Sequence, residues 1–130
     1  MASNVTFYLA FLNVHGQSGF NLAKQKQIED FIRGKNIDIL HCQEIHIDDE
    51  CFSQCSYISS NYYIISNNAL NKYGTASIIR NDYSAENVKM DTLGRAIFFE
   101  IGNATFGNVY SVYAVLDRQQ LQGGQGTVLL

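Results

Sequence analysis

Asn13 and Glu44 are an amide and a carboxylate that each stand just past an apolar run with the character of a strand. Asn13 closes Val5-Thr-Phe-Tyr-Leu-Ala-Phe-Leu12, and Glu44 follows Ile37-Asp-Ile-Leu-His-Cys42 and Gln43. Between the two runs, Ala23 to Arg33 has helical spacing. If the runs are parallel neighbours joined by that helix, the connection is a right-handed crossover, and both strands finish at one edge of the sheet. Open α/β sheets bind ligands at that edge. The oxygen ligands of an amide and a carboxylate suit a hard cation such as magnesium, which keeps most of its waters.

The elements that must position this pair are legible in outline. Residues 5–12 are almost continuously apolar, as in a strand buried on both faces. Gly16, Ser18 and Gly19 open a loop, Asn21 is placed to cap a helix, Ile28, Phe31 and Ile32 share one helical face, and Gly34 can supply a left-handed stop. Glu29 and Arg33, four apart, are expected to meet on the solvent side. Ile37 to Cys42 forms the second strand and delivers Gln43 and Glu44 to the edge, and the acidic, polar stretch from Ile47 to Gln54 reads as a loop or a short helical turn. Tyr57 to Ser66 and Thr75 to Arg80 read as strands. Ala96 to Ile101 and Ala104 to Tyr113 flank Gly102-Asn103, a two-residue connection that closes a tight hairpin. One crossover followed by antiparallel strands makes a mixed α/β (α+β) chain.

At 130 residues there is room for one domain, and a hydrophobic fraction of 46% supports a folded core. A net charge of −3 argues against a surface that grips nucleic acid all over, although metal ions and local basic clusters can offset substrate charge. No apolar run reaches the length of a membrane span, and the N-terminus lacks a basic leader, so no membrane partner is expected. Three cysteines, Cys42, Cys51 and Cys55, are an odd number and point to an intracellular, reducing setting. With His41 or His46 they could be drawn as a zinc site, but no CxxC is present and one cysteine falls within a strand. Phosphate-loop, dinucleotide and GxSxG signatures are absent.

Five pieces in order carry a resemblance: Asn13 with Gly16; Asp38-Ile-Leu-His-Cys-Gln-Glu44 with His46; Tyr73-Gly-Thr-Ala-Ser-Ile-Ile79; Gly94-Arg-Ala-Ile-Phe98; and Phe106-Gly-Asn-Val-Tyr110. Over residues 7 to 110 the chain resembles the first half of the endonuclease/exonuclease/phosphatase superfamily, most of all the endonuclease domains of non-LTR (LINE-type) retrotransposons. The resemblance implies a DNase I-like fold, half of a two-sheet β-sandwich flanked by helices, and a phosphodiesterase that nicks DNA with magnesium or manganese. It assigns Glu44 to the metal and Asn13 to orienting the metal's waters or a catalytic group. It assigns Tyr110 to a hydrogen bond on the scissile phosphate. His46 would contact phosphate, although a surface histidine after a strand needs no ligand. His15 and His41 read as structural, Asn108 serves its strand, and Tyr73 and Arg95 need no catalytic explanation.

The family's second half carries a DxN motif, a further asparagine and a terminal Asp-His pair, which supply the general base, and nothing after Tyr110 matches them. Residues 1–113 thus read as the N-terminal part of such a domain and 114–130 as a divergent, disordered tail, biased toward Gln and Gly and of a kind a frame change produces. Two expectations follow: an enzyme fragment inactive alone, and a sheet whose inner face is left uncovered. The second opens an alternative, a non-enzymatic remnant or interaction module that meets a protein partner, or itself, through that face. An unrelated α/β binding domain is the third reading.

Overall fold

The computed structural model describes residues 6–14, 22–47, 60–68 and 74–110. In chain order the elements are β1 (Leu9–Asn13), α1 (Leu22–Lys35), β2 (Ile39–Ile45), β3 (Tyr62–Asn67), β4 (Gly74–Arg80), β5 (Glu86–Met90), β6 (Ala96–Ile101) and β7 (Ala104–Val109). They form a four-stranded sheet of order β1-β2-β4-β3 and a three-stranded sheet of order β5-β6-β7. β1 and β2 are parallel, with α1 as their crossover, and every other pairing is antiparallel. The crossover followed by antiparallel strands is what the periodicity predicts.

Alternation in β2 sorts its side chains between two cores. Leu40 and Cys42 face α1 and pack with Ile28, Ile32, Ile37, Ala76 and Ile78. Ile39 faces the second sheet and packs with Ile79, Ile97, Phe99, Ile101 and Phe106, while Tyr63 and Ile65 of β3 lie against the same cluster. The inner face of β2, β3 and β4 is therefore covered. This corrects the expectation of an uncovered sheet. The cause is the β6–β7 hairpin, which turns Ile97, Phe99, Ile101 and Phe106 onto this face, while every residue of β5 is exposed. β1 departs in the other direction: as an edge strand paired only with β2 it is partly exposed, with Leu9 at 42%, not buried on both faces.

α1 ends one turn feature later than Gly34. Asn36 takes the left-handed conformation, with φ of 54°, and the amides of Asn36 and Ile37 donate to the carbonyls of Arg33 and Ile32. That is the paired closure of a Schellman stop, with Ile37 and Ile32 in one apolar cluster. Glu29 is buried rather than on the solvent side, and its carboxylate reaches out to Arg33 at 2.9 Å. Two residues on, the opposite face exposes Phe31, which the spacing places inside. The hairpin at Gly102-Asn103 forms as expected, with positive φ at Gly102 alone, the type II′ pattern. Asn21 and the expected tail from residue 114 lie outside the described residues. Among the described residues no helix is long and apolar enough to cross a membrane.

Candidate functional site

The parallel register sets Asn13 beside Gln43, and the amide of Val14 donates to the Gln43 carbonyl at 2.9 Å, so β1 and β2 finish on the same rim. Register partners in a parallel pair share a face, and Gln43 lies on the side of the second sheet, where its Nε2 donates to the Val109 carbonyl at 3.1 Å. Asn13 belongs to that side. Simple alternation would turn the next residue, Glu44, toward α1.

A β-bulge prevents this. Gln43 pairs with Thr75 and Ile45 with Gly74, leaving Glu44 as one extra residue opposite no partner, with φ of 57°. The insertion restores Ile45 to the helix-side core and re-aims the Glu44 carboxylate. Its Oε1 accepts a hydrogen bond from the Tyr110 hydroxyl at 3.2 Å. A non-glycine residue in the left-handed region costs about 1–2 kcal/mol, and such strain concentrates where geometry serves function. Tyr110 is held just past β7 by its amide, which donates to the Arg95 carbonyl at 2.8 Å. Burial first, and then the Glu44 charge and hydrogen bond, hold its phenol above the usual tyrosine range, so it remains a protonated donor at neutral pH.

Beneath the rim runs a polar seam that the sequence reading missed. Asn108 is fully buried between the sheets. Its Nδ2 lies 3.0 Å from the Ala76 carbonyl, 3.3 Å from that of Cys42 and 3.4 Å from Ser77 Oγ, and its Oδ1 accepts from Gln43 Nε2 at 3.4 Å. Ser77 Oγ also meets His41 Nδ1 at 2.8 Å. The one available signal was an amide at the last inward position of the Ala104, Phe106, Asn108 alternation.

The other candidates separate cleanly. His41 is packed against Phe11 and Phe99, and burial lowers its pKa to about 4, so it is structural as expected. Cys42 is buried and its thiol is pushed up to about 12. His46 is exposed two residues beyond Glu44. His15, Gly16, Tyr73, Cys51 and Cys55 lie outside the described residues. Among the described residues, no three His, Cys, Asp or Glu side chains gather to hold a metal. The Glu44 carboxylate with the Tyr110 hydroxyl beside it still fits the chemistry of a magnesium ion, which takes one or two carboxylates and keeps several waters.

Two packed sheets with a flanking helix after a βαβ start define the class, a DNase I-like fold, and solved structures share it. The 3' phosphatase NExo from Neisseria, bound to product DNA hairpin, superposes with a TM-score of 0.64 at 18% identity, over 88% of this chain and 48% of that one. The TDP2 of D. rerio, complexed with single-strand DNA product, gives 0.56 at 10% identity, over 92% and 56%. Truncated Caenorhabditis elegans TDP2 gives 0.51 at 21% identity, over 76% and 43%. The chain thus spans about half the length of these structures, and at such identities the likeness is one of fold. No protein-family model and no curated protein matches the sequence.

Proposed function

We propose that this chain forms the metal-binding half of a divalent-metal-dependent phosphodiesterase acting on DNA. The supporting observation is the bulged Glu44, whose carboxylate meets Tyr110 at the strand end where Asn13 pairs with the preceding Gln43. Bound there, magnesium or manganese would polarise a phosphodiester oxygen and offset charge on the leaving group. Glu44 would hold the ion, Asn13 would orient its waters, and the protonated Tyr110 would donate to a phosphate oxygen. The exposed His46 is the residue on this rim for an outlying phosphate contact. The DNA-bound solved structures of the same fold favour DNA as the substrate. LINE-type ancestry and an intracellular setting belong to the same proposal and rest on the sequence motifs and the odd cysteine count.

Asn13, Gln43, Asn108, Tyr110 and Glu44 cannot take a proton from water at neutral pH: the amides are not bases, Tyr110 is protonated, and Glu44 is committed to the metal. We therefore expect residues 1–130 alone to bind magnesium weakly and to nick DNA at trace level or not at all. Magnesium titration followed by NMR, with Glu44→Gln as control, tests the site. Binding that survives the substitution would refute it, and so would robust plasmid nicking by the Glu44→Gln protein.

A further inference from the structure

The sheets of a sandwich are held together by apolar contact, which has little directional preference and leaves the offset between layers loosely specified. A contact between Tyr110 on one layer and Glu44 on the other needs that offset fixed. Around the site it is fixed by three hydrogen bonds that climb the interface in step. Asn108 donates to the Cys42 carbonyl, Gln43 donates to the Val109 carbonyl, and Tyr110 donates to Glu44, each pair 66 residues apart in sequence. Asn108 also reaches the Ala76 carbonyl, and Cys42 and Ala76 are register partners in neighbouring strands. One amide on β7 is thereby tied to β2 and β4 at a single level of the sheet.

Burying a primary amide is costly unless its donors and acceptor are satisfied, and an apolar residue would fill the same inward position without that demand. A polar group kept there at such a cost is better explained by the register it imposes than by packing. We propose that Asn108, acting with Gln43, is the positioning residue of the site: a clamp that locks the offset between the two sheets so that Tyr110 meets the Glu44 carboxylate. That the positioned pair is catalytic rests on the phosphodiesterase reading above; the clamp itself does not.

The position of the Tyr110 ring reports the clamp directly, because its hydroxyl meets Glu44 only while the two sheets keep their offset. Tyr110 can be followed at neutral pH by the chemical shifts of its 13C-labelled ring and its NOEs to β2, assigned through Tyr110→Phe. Glu44→Gln sets the reference by moving the Tyr110 ring signals. Asn108→Leu, and Gln43→Ala at a half-buried strand end where folding is little disturbed, should each move those signals and weaken the NOEs to β2 while the thermal melt stays cooperative. If Glu44→Gln moves the Tyr110 signals and neither Asn108→Leu nor Gln43→Ala does, Asn108 is a packing residue and the clamp is overturned. It is equally overturned if Glu44→Gln leaves Tyr110 unmoved. Should magnesium fail to bind the wild-type chain while these tyrosine shifts appear as expected, the phosphodiesterase reading falls and the clamp stands.

Discussion

The Tyr110 hydroxyl donates to Glu44 Oε1 across 3.2 Å, joining the residue that follows the edge strand of one sheet to a bulge in the other. Neither residue meets its partner through local sequence. The contact exists because β7 packs over β2 and because the bulge turns a side chain that would otherwise enter the helix-side core.

The bulge gives the first prediction. Glu44→Gly and Glu44→Ala both remove the carboxylate and should both abolish magnesium binding. Gly accepts φ of 57° without penalty whereas Ala does not, so the Gly protein should be the more stable of the two by about 1 kcal/mol in denaturant unfolding. Equal stabilities would mean that the backbone relaxes out of the left-handed region.

Tyr110→Phe keeps the ring and loses the hydroxyl. Stability should change by no more than about 1 kcal/mol, since one hydrogen bond at a partly buried position is at stake. In an assembly that restores nicking activity, the same change should lower the rate by roughly 100-fold, as expected for losing a donor to a developing charge. Full activity would remove Tyr110 from the mechanism.

His41 makes stability depend on pH. Burial depresses its pKa from 6.5 in the unfolded chain to about 4 in the fold, so between those values the unfolded state alone binds the proton. The associated stability is complete above about pH 6.5 and is lost progressively as pH falls toward 4. Over that window the loss should approach roughly 3 kcal/mol, at about 1.4 kcal/mol for each pH unit. His41→Gln should flatten this part of the curve, measured by urea unfolding at a series of pH values.

The inter-sheet core gives the last prediction. Phe99 is fully buried against Phe106 and Ile97, so Phe99→Ala should cost about 3–5 kcal/mol. Because this core joins the layers near the site, binding of a hydrophobic dye should rise in the variant as the inner face of β2 and β4 opens. A loss below about 1 kcal/mol would show that the sheets do not depend on each other.

What the sequence determines here is local. The crossover β1–α1–β2, the extent of β6, the Gly102-Asn103 hairpin and the common rim of Asn13 and Glu44 follow from periodicity, turn chemistry and the handedness of the connection, all readable within a few tens of residues. The tertiary structure decided the rest. β5 has no alternation to betray it and is a strand because β6 lies beside it. Glu29 falls inside rather than outside because of where α1 rests on its sheet. Glu44 faces Tyr110 because its strand carries one residue more than β4 can match, and an extra residue is defined only by the register of the pair. Asn108 becomes a link between layers only when Cys42 and Ala76, far away in sequence, arrive opposite it. Side-chain direction in a sheet flips with a single residue of offset, so these outcomes are set by how strands meet and not by the residues of any one strand.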